Sequence, residues 1–200
     1  MMGNAAWVEV RLALAGTWRL ARGDRGGRVC FDRSLAGFWR SFRAAVISYP
    51  IFLVLLTMQV SLAEWERAGG WRVVTVETIG YVVSWVAFPL AMLTVTQRLG
   101  RAHRFFDFMV PYNWCQLPLN AIFALVRLVF EGGVLGSRSD ENIGVISVVV
   151  TLIYESYVWY LARVALDTTV LAAIFIALLD LVLGVVISQV TLSLYLKPAG

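Results

Sequence analysis

Two hundred residues with 60% hydrophobic content and a mean hydropathy of +0.75 leave room for one domain, and exceed the apolar share of an average soluble one. The net charge of +4 is unevenly placed: Arg11, Arg19, Arg22, Arg25, Arg28, Arg33, Arg40 and Arg43 precede the first long apolar run, against Glu9, Asp24 and Asp32. So short a basic stretch, without a recognisable motif, argues against a nucleic-acid partner; beside a membrane helix it marks the cytoplasmic flank and contact with anionic lipid.

Residues 4–22 read as an amphipathic surface helix. On a 100° wheel Trp7, Val10, Leu14, Trp18 and Ala21 share one arc bordered by Arg11 and Arg22, while Leu12 and Leu20 fall off it. Two readings stay open: a helix lying flat among lipid headgroups, or one packed on the protein's own cytoplasmic face. Glu9 and Arg11 interrupt any signal-peptide core, so no such peptide is expected. Gly23, Asp24, Gly26 and Gly27 then make a turn. The helical pattern resumes with Asp32 or Ser34 as N-cap, and Leu35, Phe38, Trp39 and Phe42 form an aromatic elbow at the interface.

Residues 1–43 thus form a basic amphipathic region, and 44–200 an all-α transmembrane bundle. Spans are expected at about 44–62, 73–97, 113–135, 143–161 and 168–196. Pro50 is expected to kink the first and Pro89 lies inside the second. The loop after the second span carries Phe105, Phe106 and Phe108 beside Asp107 and is expected to lie along the membrane surface. Pro111 and Pro118 bracket the start of the third span, so PYNWCQLP reads as a turn leading into the membrane, or as a partner-docking loop. Gly132 and Gly136 stand at GxxxG spacing near the end of that span. Five spans place the N-terminus in the cytoplasm and the C-terminus outside, because positive residues flank the first span and fill the second loop.

The fifth span carries Asp180 near its middle, and charges also lie within the third (Arg127, Glu131) and the fourth (Glu155). Charges at depth must face protein or water. Counted from the cytoplasmic ends, Arg127 and Asp180 come to about 21 and 18 Å of depth, which pairs them, with Glu155 as a second partner. Glu131, about 27 Å deep, stays hydrated near the outer surface. With Glu77, near the start of the second span, these carboxylates either fix helix register or relay protons or cations.

Catalytic chemistry is not expected. There is no GxSxG, HExxH, P-loop or Rossmann glycine pattern, and His103 reads as a solvated side chain. Cys30, Cys115 and the single histidine cannot assemble a zinc set, so neither metal nor cofactor is expected. Both thiols are expected on the reducing cytoplasmic side.

A basic amphipathic N-terminal region, five closely spaced spans and a vestigial far-side tail resemble the Yip1 family of membrane proteins over the whole chain. The family's eukaryotic members carry a YGPFW-type signature near the first span. Here that region reads FDRSLAGFWRSFRAAVISYP, sharing its aromatic character only, so no binding residues carry over. The resemblance implies a non-enzymatic scaffold or accessory protein that organises membranes or partner proteins, with small-GTPase links in eukaryotes. Sixteen arginines against Lys197 point to a GC-rich, bacterial genome and an inner-membrane location. The expected partners are the lipid bilayer and a membrane protein or second copy. The alternative function is a small transporter or proton- or cation-conducting protein built on the carboxylates, and a water-filled cavity reaching Asp180 or Glu155 would favour it.

Overall fold

The computed structural model describes residues 4–131 and 140–196, and every regular element among them is helical. The α-helices are α1 (Asn4–Ala21), α2 (Leu35–Ser41), α3 (Arg43–Gln59), α4 (Leu62–Ala68), α5 (Gly70–Arg98), α6 (Phe105–Glu131), α7 (Asp140–Ala165) and α8 (Val170–Leu196). Short 3-10 segments lie at Arg25–Cys30 and Ala102–Arg104.

Four helical stretches are long and apolar enough to cross a membrane: Leu35–Gln59, Gly70–Arg98, Gly144–Ala165 and Val170–Tyr195. The outward faces carry large apolar side chains, such as Ile79 and Val82 on α5, Val149 and Ile153 on α7, and Phe175 and Val182 on α8. So much exposed hydrocarbon is what helices of this length need on a lipid-facing surface.

Helix α6 is different. It carries Asn113, Gln116, Asn120 and two prolines, and it is not one of the four found among the described residues. It begins at Phe105, eight residues before the expected start at Asn113, and runs through Pro111 and Pro118. PYNWCQLP is therefore neither a turn nor a docking loop: Tyr112, Asn113, Trp114 and Cys115 are buried in the bundle. The phenylalanines expected along the membrane surface belong to the same core, with Phe105 and Phe108 buried. Helix α6 packs on α3, α7, α1, α2 and α5, so its polar groups face protein rather than hydrocarbon.

The long helices form a ring. Helix α6 lies between α3 and α7, and α8 between α7 and α5. Aromatic side chains close the remaining seam between α3 and α5: the Tyr81 hydroxyl donates to the Ala45 carbonyl at 2.6 Å, and the Tyr49 and Thr78 hydroxyls meet at 2.8 Å. The chain turns between α3 and α5 through α4, which Ser61 and Glu64 start with reciprocal caps. Gly69, at φ +81°, reverses the backbone into α5.

The N-terminal region is docked on the protein. Val10, Ala13, Thr17 and Leu20 of α1 are buried, so the stripe that packs includes Leu20, which the wheel had left outside. Trp7 and Trp18, on the apolar arc of the wheel, are 56% and 64% exposed, on the same side as exposed Arg11 and Arg22. Leu14 is half-buried between the two faces. Glu9 anchors the helix by accepting from Arg40 at 2.9 Å and from Arg43 at 2.6 Å. In the elbow, Trp39 is exposed, but Phe38 is buried in a ring cluster with Phe42, Phe105 and Phe106, which corrects its interfacial assignment. The GxxxG glycines, Gly132 and Gly136, lie outside the described residues, as does the side chain of Glu131.

Candidate functional site

Within the helix ring lies a cavity of about 550 Å³ to which all five long helices contribute. Its lining runs from Phe52 to Gln59 on α3, from Glu77 to Phe88 on α5 and from Asp180 to Thr191 on α8, toward the end of α3 opposite the Glu9 contacts of α1 with Arg40 and Arg43. Glu77, Glu155 and Asp180 line it, and no Lys, Arg or His among the described residues does. The walls also carry Gln59, Ser84, Gln116, Asn120, Ser188 and Gln189. Aromatic rings fill the inner end, where Phe88 lies 4.5 Å from Tyr112 and Phe108 stacks on Tyr112 at 5.7 Å.

Asp180, 8% exposed, sits at this inner end. The Tyr112 hydroxyl donates to one carboxylate oxygen and the Tyr154 hydroxyl to the other, each at 2.6 Å. Gln116 Nε2 donates to the Tyr154 oxygen at 2.7 Å. The donors run in one direction, Gln116 to Tyr154 to Asp180, and Tyr112 completes the set. Both carboxylate oxygens act as acceptors. Short O–H···O⁻ bonds of this kind are about twice as strong as neutral ones.

Arg127 does not pair with Asp180. No ion pair joins them among the described residues, and the Arg127 guanidinium lies 5.9 Å from the Phe123 ring. Register supplies about half of the reason, since the earlier start accounts for eight of the 15 residues between Tyr112 and Arg127. Because α6 starts at Phe105, Tyr112 is the residue level with Asp180, and Arg127 lies 15 residues further along, about 22 Å away. Glu155, the expected second partner of Arg127, lines the cavity instead, and its Oε2 is buried without a hydrogen-bond partner.

Asn113 is wholly buried and also lines the cavity. Its Nδ2 donates to Ser41 Oγ at 2.8 Å, and that hydroxyl donates onward to the Phe38 carbonyl at 2.6 Å. The Ser41 proton is thus committed, which fixes the amide orientation and leaves Asn113 Oδ1 as an acceptor with no donor.

Sequence reasoning located Glu77, Glu155 and Asp180 and gave no site role to Tyr112, Tyr154 or Gln116. A signal was present. Polar residues recur at helical spacing on each wall: Tyr112, Gln116 and Asn120 on α6, Thr151 and Glu155 on α7, and Asp180, Gly184 and Ser188 on α8. A polar stripe of that period in an apolar helix marks a face turned from lipid. Outside the cavity, His103 is exposed and both cysteines are free, Cys115 being buried within α6 rather than at its start. No group of three or more potential metal-ligating side chains occurs among the described residues.

No family model, curated protein or solved structure matches the chain.

Proposed function

We propose that this chain is a non-enzymatic, multi-pass membrane protein that admits a cationic solute into the acidic cavity from the face opposite α1. The observation that carries this reading is the composition of the cavity wall: three carboxylates, a run of amides and hydroxyls, and no cationic side chain among the described residues. A cleft lined by carboxylates with low-dielectric walls concentrates cations. From the sequence the expectation is a scaffold with a dry, packed bundle, and the alternative a transporter with a cavity at the carboxylates. The cavity supports the second.

On this reading α6 is the fifth crossing, shielded from lipid by its neighbours, with the N-terminus cytoplasmic, the C-terminus outside and the cavity facing outward. Its 27 residues, about 40 Å of helix, suffice for a crossing. The arginine-rich N-terminal region supports the orientation, and the arginine bias supports a bacterial inner membrane. The Yip1-like outline is compatible with this five-span arrangement.

The test is side-specific thiol modification with Cys30 and Cys115 replaced by Ser. Single cysteines at Ser84 and Ser188, on the cavity wall, should react from outside with membrane-impermeant thiosulfonates, and faster with a cationic reagent than with an anionic one. A cysteine at Val182, exposed on the apolar face, should not react. Unreactive cavity cysteines, or equal rates for the two reagents, would refute the proposal.

A further inference from the structure

The geometry points to a hydrogen-bond-donating organic cation, a primary or secondary ammonium with an apolar body, as the occupant of this cavity. The inference rests on the proposed function and adds the chemical class of the solute.

Three features of the wall carry it. The first is charge, with Glu155 and Asp180 contributed by α7 and α8. The second is the pair of acceptors without donors. Asn113 Oδ1 and Glu155 Oε2 are buried with their hydrogen-bonding capacity unused, and a buried acceptor left so costs about 1–3 kcal/mol. An N–H-bearing cation supplies what both lack, whereas a quaternary ammonium has no proton to give. The third is the aromatic wall. Phe52, Tyr81, Trp85 and Phe88, from α3 and α5, line the same space, with Phe52 and Tyr81 4.6 Å apart and Tyr81 and Trp85 6.1 Å apart. Ring faces attract organic cations and cover their apolar parts.

Inorganic cations fit less well. Calcium needs about six to eight converging oxygen ligands, and no cluster of three potential metal-ligating side chains exists among the described residues. A proton relay needs a chain of exchangeable groups but no room, whereas about 550 Å³ falls in the range of pockets that hold small organic ligands. The wall is therefore divided in two: carboxylates and orphan acceptors for the ammonium head, rings for the body.

The experiment uses the full chain in nanodiscs, in amine-free buffer, with calorimetric titration of phenethylammonium, tetramethylammonium and sodium chlorides. Phenethylammonium should bind saturably and tetramethylammonium at least tenfold more weakly. A hundredfold excess of sodium should not displace the bound amine. Glu155→Gln, which keeps the shape and removes the charge, should weaken phenethylammonium at least tenfold while the thermal melt stays within a few degrees of the parent. Binding of tetramethylammonium as tight as phenethylammonium, displacement by sodium, or no saturable amine binding would each overturn the inference. If that happens while the cysteines at Ser84 and Ser188 still react, the solute class alone is wrong. If those cysteines are unreactive as well, the cavity reading falls with it.

Discussion

Tyr154→Phe is the most informative single change, because one hydroxyl holds two polar groups. It donates to Asp180 Oδ2 at 2.6 Å and accepts from Gln116 Nε2 at 2.7 Å. Neutral interhelical hydrogen bonds within membranes average only about 0.6 kcal/mol. A bond to a charged group contributes about 1.5–3 kcal/mol, and a stranded buried carboxylate oxygen adds to its loss. The charged partner therefore sets the scale, and Tyr154→Phe should destabilise the fold by about 2–3 kcal/mol. Tyr112→Phe, which removes the bond to the other oxygen, should cost a similar amount. Asp180→Asn separates this account from a simple packing loss, because it keeps volume and removes the charge that makes the bonds strong. In an Asp180→Asn background, Tyr154→Phe should cost about 1 kcal/mol or less, a coupling of about 1–2 kcal/mol. Equilibrium unfolding of the four proteins in mixed micelles measures the cycle. Additivity within about 0.5 kcal/mol would mean that the tyrosine does not act through the carboxylate.

Other outcomes follow from the same geometry. Arg127→Ala and Asp180→Asn should be additive within about 0.5 kcal/mol in that assay, because about 22 Å of helix separates their levels; a coupling above 1 kcal/mol would restore the pairing read from the sequence. Glu9→Gln should lose about 0.5–1.5 kcal/mol from its two half-exposed ion pairs with Arg40 and Arg43 and speed tryptic cleavage between Arg19 and Arg28; unchanged cleavage would show that the buried face of α1 suffices alone. The Asp32 carboxyl is held below its ordinary value of 3.8 by hydrogen bonds from Ser34, with Arg40 adding to the effect. A lowered folded-state value means that its stabilisation is present above about pH 4 and lost as pH falls through that lowered value. Protease sensitivity of the 30–34 segment should rise over that acid range in the parent, and Asp32→Asn should flatten the rise.

Much of the architecture is legible in sequence because the bilayer is a severe solvent. Apolar runs such as 170–195 have few alternatives to a lipid-exposed helix, and a carboxylate within one, Asp180, must turn inward. The burial of Asp180 and the exposure of His103 follow from composition and position alone. Helix α6 marks the boundary of that reasoning. Its prolines and amides look like a break when each residue is scored by its own polarity, and only the enclosing helices make a buried, continuous helix of them. The misplaced start moved its register by eight residues, about 12 Å, which makes up about half of the 15-residue offset between Arg127 and Tyr112. The stripe of α1 shows the same ambiguity on a smaller scale. A helix with apolar residues over much of its circumference has two apolar faces, and the wheel cannot say which meets protein. Tertiary structure decided that Leu20 packs and Trp18 does not, because Glu9 reaches Arg40 and Arg43 only when that face is turned inward. The cavity likewise exists only once the inward faces of five helices converge, and the spacing within any one helix carries no information about its neighbours.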